Sequence, residues 1–116
     1  MAKIAVASTD GIVINEHFGS AEEFLLYEVF DNGDYNFIER RLVPKDTDVS
    51  IEHGKAIKAA KLLQDVEAVL VAQIGKNATG ILESIGIRVF AINGEIEKSL
   101  RAYGQKRKII RNQLKN

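Results

Sequence analysis

Apolar residues along this chain fall into short blocks, some continuous and some at helical spacing. Residues 3–7 form a compact apolar run closed by Ser8-Thr9-Asp10-Gly11, which predicts a buried strand followed by a turn. Residues 24–30 predict a second strand and residues 35–43 a third, whose end is marked by Pro44. Between them, Asp31-Asn32-Gly33-Asp34 predicts a hairpin, because asparagine and glycine tolerate the positive φ of tight turns. Ala56, Ala59, Ala60 and Leu63 recur at helical spacing, with Lys55, Lys58 and Lys61 largely on other faces. The unbroken run 68–72 predicts a strand buried on both sides. Asn77 is placed to cap a short helix carrying Ile81, Leu82 and Ile85, which Gly86 ends. Residues 87–92 predict a fifth strand. A last helix begins near Gly94-Glu95 with Ile96, Leu100 and Tyr103 on one face. Ile110 and Leu114 prolong that stripe past Gly104, which is expected to be a weak point.

The element order is therefore β-β-β-α-β-α-β-α. Strands one to three should form an antiparallel meander, and the βαβ units should set strands four and five parallel to strand one. The expected fold is α/β, a mixed five-stranded sheet flanked by helices. In that topology the segments 8–19, 45–55, 73–77 and 93–95 all emerge at one edge of the sheet. Open α/β sheets usually bind ligands at such an edge. The Asn-Gly hairpin lies at the opposite edge.

Composition narrows the chemistry. At 116 residues with 46% hydrophobic and 28% charged, the chain suits one soluble domain. Its longest apolar runs are far too short to span a bilayer. Met1-Ala2-Lys3 leads directly into the first strand without a charged-then-apolar leader, so a cytoplasmic location is expected. With no cysteine, the chain has no disulfide, thiol nucleophile or thiolate ligand. A metal bound here must use histidine, carboxylate or backbone groups, or arrive with its own inorganic ligands. Net charge is zero, yet the last thirteen residues hold five cations and no acid. Such an end suits the C-terminal pole of a helix or an acidic partner. Nucleic-acid binding is disfavoured, because no stacking-aromatic motif accompanies that one patch.

The predicted rim gathers both histidines, His17 and His53, with Gly19, Gly54, Gly75, Lys55, Lys76 and two helix N-termini. Helix N-termini offer unpaired N–H groups, and glycine lets a ligand approach the main chain. The combination would accept a metal–sulfur cluster, a phosphate or a small carboxylate. Plainer readings stand beside these. His17 can be a surface or turn residue, His53 a helix start, Gly75 a turn glycine and Asp10 the first residue of an Asp-Gly turn. Asp10 just past the first strand also invites comparison with two-metal nucleases, but residues 68–77 contribute no acid to such a site. No Gly-x-Ser-x-Gly elbow or Gly-Lys-Ser/Thr phosphate loop is present.

Several of these residues also carry a family likeness. Residues 3–11 (Lys3-Ile4-Ala5-Val6-Ala7-Ser8-Thr9-Asp10-Gly11) are followed by His17-Phe18-Gly19 and a strand at 24–29. Residues 68–72 with Gly75, Gly86-Ile87-Arg88-Val89 and Ser99-Leu100-Arg101-Ala102-Tyr103 complete the pattern. In order and spacing the chain resembles the dinitrogenase iron–molybdenum cofactor biosynthesis family, that is, NifX-like proteins and the C-terminal domain of NifB-type proteins. The resemblance runs over roughly residues 2–104. It implies a ribonuclease H-like fold, with 1–104 as the cofactor-binding domain and 105–116 as a basic helical extension of it. It implies a non-catalytic carrier or scaffold for an iron–sulfur or iron–molybdenum cluster, held transiently and passed between donor and acceptor proteins. His17 is then a candidate metal ligand and His53 a second. Ser8, Asp10, Phe18, Gly19, Gly75, Lys76 and Asn77 form the expected cradle, with Phe18 packed to fix the loop. The radical-enzyme cysteines of NifB-type proteins are missing, so the chain cannot build a cluster by that chemistry. The expected assembly is a monomer or weak homo-oligomer without a membrane partner. A metal-free module binding small anions or protein, and a metal-dependent hydrolase, are the alternatives.

Overall fold

The computed structural model describes residues 1–44 and 52–114. The chain forms β1 (Ala2–Val6), β2 (Val13–Ile14), a 3₁₀ turn (Phe18–Ser20), β3 (Glu23–Val29) and β4 (Tyr35–Leu42). It continues through α1 (Glu52–Leu62), β5 (Ala68–Val71), α2 (Lys76–Ser84), β6 (Arg88–Ala91), β7 (Gly94–Glu95) and α3 (Ile96–Leu114). Five strands make one mixed sheet in the order β4-β3-β1-β5-β6. β1 pairs antiparallel with β3 and parallel with β5, while β3–β4 is antiparallel and β5–β6 parallel. The expected meander and parallel half are therefore both present.

Strand alternation divides the core in two. Ala5, Ala7, Leu26, Val69 and Val71 face one side, where Ala59, Ala60 and Leu63 of the α1 region and Leu82 of α2 cover them. Ile4, Val6, Leu25, Tyr27 and Leu70 face the other, under Ile96 and Leu100 of α3. Alanines on both partners let α1 lie close to the sheet, whereas the α3 side is filled by larger groups. Full burial of each Leu- or Ile-sized side chain stabilises the fold by about 1.5–3 kcal/mol.

Several local expectations are corrected. α2 starts two residues earlier than a capping Asn77 requires: Gly75 is the N-cap, with no side-chain cap bond. Its other end follows the sequence, with Gly86 at φ +87°. There Ile87 N–H donates to Leu82 O at 3.0 Å and Gly86 N–H to Glu83 O at 3.0 Å, a Schellman closure. In the β3–β4 hairpin only Gly33 takes positive φ (+93°), so Asn32 serves differently. Its Oδ1 accepts the Asp34 N–H at 3.0 Å. Gly94-Glu95 does not start the last helix but pairs with Val13–Ile14 as a two-stranded ladder.

Gly104 is no weak point, because α3 runs through it unbroken. It is buried, and a Cβ there would lie 2.4 Å from Phe30 O and 2.9 Å from Val29 Cγ1. Glycine is required for the close approach of helix and hairpin. The basic end is also partly structural, since Arg107 Nη1 donates to Asp31 at 3.0 Å and its Nε to Glu67 at 3.1 Å. Tyr103 donates its hydroxyl to the same Glu67 carboxylate, and burial, reinforced by that bond, pushes the phenol well above its ordinary range. The side chain of Leu114 lies outside the described residues. No helix among the described residues is long and apolar enough to cross a membrane.

Helix propensity alone would make Gly104→Ala stabilising by about 1 kcal/mol. The contact with Phe30 O reverses the sign. Chemical denaturation of that variant is expected to show a loss of about 1–3 kcal/mol.

Candidate functional site

The edge at the carboxyl ends of β1, β4, β5 and β6 is where the candidate residues converge. Leaving β1, the chain loops out through residues 8–13 and returns to lie between the diverging ends of β1 and β5. Glu16 N–H donates to Ala7 O at 3.4 Å, and Glu16 O accepts the Ala72 N–H at 2.9 Å. His17 then bridges Gln73 in parallel, and Phe18 N–H donates to Gln73 O at 2.8 Å. This ladder sets His17 alongside the residue two places before Gly75.

His17 is exposed, in extended conformation (φ −72°, ψ 138°), at the start of the 3₁₀ turn. Phe18, next to it, is only 4% exposed. Its ring meets Phe24 with centroids 5.6 Å apart. The hydrophobic anchor thus fixes the backbone while the imidazole stays at the surface. Gly19 and Gly75 flank this point, both at the surface, and a Cβ at either would meet no atom within 4 Å. Neither takes positive φ, so folding does not require glycine at these positions.

The outgoing loop is held by its own polar groups. Ser8, 2% exposed, accepts the N–H of Gly11 at 3.0 Å and of Asp10 at 3.3 Å on its Oγ, and donates to Asp10 Oδ1 at 3.2 Å. The same Oδ1 accepts N–H groups from Ile12 at 2.8 Å and Val13 at 3.0 Å. The Val13 and Ile12 amides, in that order, hold the Asp10 carboxyl below its ordinary value. Ser8 Oγ and Asp10 Oδ1 are therefore committed to the loop. Thr9 and Asn15 close it in a reciprocal pair, with Asn15 Oδ1 accepting the Thr9 N–H at 3.0 Å and Asn15 Nδ2 donating to Thr9 Oγ1 at 2.8 Å. That pair and Gln73 were missed by sequence reasoning. The six-residue separation of that pair and the fifty-six residues between His17 and Gln73 carry no periodic signal.

α2 begins at this rim with Lys76 and Asn77, both exposed. Glycine at its N-cap brings no side-chain acceptor, so the first-turn amides and the dipole face outward. β7 closes the rim from the other side, and Ile96 N–H, the first of α3, donates to Ile12 O at 2.9 Å. His53 lies in the first turn of α1, and its side chain is outside the described residues, as are residues 45–51 altogether. Among the described residues no group of three or more His, Asp or Glu could hold a metal ion.

A family model described as "Dinitrogenase iron-molybdenum cofactor" matches residues 1–106. The FeMo cofactor biosynthesis protein NifB of Chlorobaculum tepidum is 36% identical over 98 residues, covering 84% of this chain and 22% of that protein. NifB of Azotobacter vinelandii is 38% identical over 96 residues, covering 79% and 18%. The chain thus spans about a fifth of these curated relatives. An uncharacterised protein of Methanocaldococcus jannaschii is 30% identical over 95 residues, covering 80% of this chain and 76% of its own length. The crystal structure of PH0822 superposes with a TM-score of 0.68 at 22% identity, covering 90% of this chain and 91% of that one. At that identity the superposition bears on the fold alone.

The Asp10 carboxylate is expected to stabilise the loop at neutral pH. Its pKa is depressed on folding, so this contribution is present above the unfolded value of about 3.8 and lost as pH falls through the folded one. Asp10→Asn should therefore lower stability at pH 7, and the gap from the unaltered protein should shrink below pH 3.8. Denaturation midpoints at several pH values provide the check.

Proposed function

The chain belongs to the dinitrogenase iron–molybdenum cofactor family, and on that premise we propose that it is a non-catalytic carrier or scaffold for an iron–sulfur or iron–molybdenum type cluster. One observation carries this reading: an exposed imidazole, His17, is fixed by backbone bonding to Gln73, two residues before the glycine-capped start of α2. A metal–sulfur cluster is anionic and brings its own sulfide. If the cargo brings enough of its own sulfide, the carrier need offer only one or two imidazoles, hydrogen-bond donors and positive potential rather than a full protein ligand set. His17 would supply the nitrogen. The amides at Gly75, Lys76 and Asn77 would face bridging sulfides, and the Lys76 ammonium would balance charge. Phe18 holds the imidazole in place, while Ser8 and Asp10 act through the loop they bind. Gly19 and Gly75 leave open space for a bulky cargo. His53, at the start of α1, is proposed as a second ligand. A single fixed imidazole favours handover, since few strong bonds have to break.

The finer assignments belong to the same reading. The strand order, with the second strand of the meander antiparallel to the rest, fits a ribonuclease H-like domain. We place the protein in the cytoplasm, as a monomer or weak homo-oligomer exchanging cargo with donor and acceptor proteins. The 105–116 segment is the end of the same domain, as the continuous α3 and the Arg107 ion pairs support. The hydrolase alternative finds little support, because the Asp10 Oδ1 is committed to loop amides and the described residues offer no three-ligand group.

Protein purified or reconstituted without oxygen is expected to bind iron, with visible sulfide-to-iron absorption. His17→Ala should lose most of that metal while changing folding stability by no more than about 0.5 kcal/mol, as an exposed side chain does. Gly75→Ala should cost about 1 kcal/mol of stability at most, the N-cap preference for glycine over alanine, yet weaken cluster retention in protein that remains folded. Retained metal in His17→Ala would remove that residue from the ligand set. Failure of the unaltered chain to take up any cluster would leave the metal-free anion-binding or interaction module in its place.

A further inference from the structure

The rim lies at the carboxyl ends of the strands, and a further concavity lies elsewhere. A groove of about 580 Å³ runs between α3 and the outer strands β5 and β6, within the range of small-molecule sites. Leu70, Phe90, Ile92, Ala102 and Tyr103 give it an apolar floor and wall. Phe90 and Tyr103 meet edge to face, with centroids 5.8 Å apart, and are only partly buried.

Its charges are uneven. Tyr103 and Arg107 are engaged by Glu67, and Arg107 also by Asp31. Lys98 Nζ lies 3.6 Å from Glu95 at the end nearer the rim. Arg88 opens β6 at the other end, and Lys106 lies one turn beyond Tyr103. Both are exposed and line the groove, and neither has a carboxylate partner among the described residues. An apolar channel with free cations at one end and a paired Lys98 and Glu95 at the other is uneven along its length.

We propose that this groove binds a small amphiphilic monocarboxylate, with its head between Arg88 and Lys106 and its apolar body along Phe90, Tyr103 and Ile92 toward Gly94. Arg88 can take the carboxylate in a bidentate fork, and Lys106 adds a mobile charge. At the far end Lys98 is already paired with Glu95, so the unpaired Arg88 and Lys106 compete better for the carboxylate and set its direction. The site is separate from His17 and stands without the cluster reading.

Nuclear magnetic resonance titration of the full chain with decanoate, decanol and acetate tests this. Decanoate is expected to shift backbone amides of residues 88–94 and 98–107, more strongly than either fragment of its chemistry. The double variant Arg88→Gln, Lys106→Gln should weaken decanoate about tenfold and leave decanol unchanged. Ala102→Trp, on the exposed wall of α3, should block both. Equal binding of decanol and decanoate, acetate binding as tightly as decanoate, or shifts outside the groove would overturn the proposal. So would amide shifts that follow protein concentration instead of ligand, which would make the groove a protein-docking face.

Discussion

Backbone groups at the diverging ends of β1 and β5 have to be paired, and that requirement organises the functional end of this molecule. Two parallel neighbours separate beyond their last shared residues and leave amides and carbonyls without partners. The loop after β1 answers this by turning back into the gap, where Glu16 bonds to Ala7 on one side and Ala72 on the other. Once Glu16 is placed, the register of His17 and Phe18 beside Gln73 follows. The alternation of strand geometry then sends Phe18 inward to Phe24 and leaves the His17 ring outside. The imidazole position is thus an outcome of main-chain bonding more than of contacts made by the ring.

The two faces of the sheet use different means of closure. On one, alanines allow close helix packing, with Arg41 tying the β4 edge to the carbonyl of Leu62 at 2.8 Å and to the Asp65 carboxylate. On the other, α3 touches the hairpin at Gly104 and is secured by Arg107 and Tyr103 through Glu67. That helix covers β3 and β1 but leaves the outer strands incompletely filled, which is why a groove lies over β5 and β6.

The five main strands and three helices were legible in the sequence because each carried a periodic apolar signal long enough to read. The antiparallel and parallel halves followed from connection length. Legibility failed where one contact over long separation decided the matter. Gly104 looked like a helix breaker, since nothing in its neighbourhood of sequence announces the carbonyl of Phe30. Val13–Ile14 and Gly94–Glu95 are too short to show alternation, so their ladder was read as loop and helix start. Asn77 has the chemistry of a cap, but the helix begins before it. Of the candidate site, the rim and the closeness of His17 to the Gly75 turn were readable from chain direction. The commitment of Ser8 and Asp10 to loop amides was not, because a hydroxyl or carboxylate in a turn reads alike whether it faces inward or toward a ligand.

Gly19 and Gly75 differ in kind from Gly33, Gly86 and Gly104. The last three answer to backbone angle or crowding, so drift at those positions is restrained by the need to fold. At Gly19 and Gly75 a methyl group would meet nothing, and folding leaves Gly19 at liberty to vary and Gly75 open to any good N-cap residue across descendants of a common ancestor. Persistence of glycine there through divergence would record selection by something outside the polypeptide. The two classes therefore give an internal yardstick, in which the rate of change at one measures the pressure of folding and at the other the pressure of use.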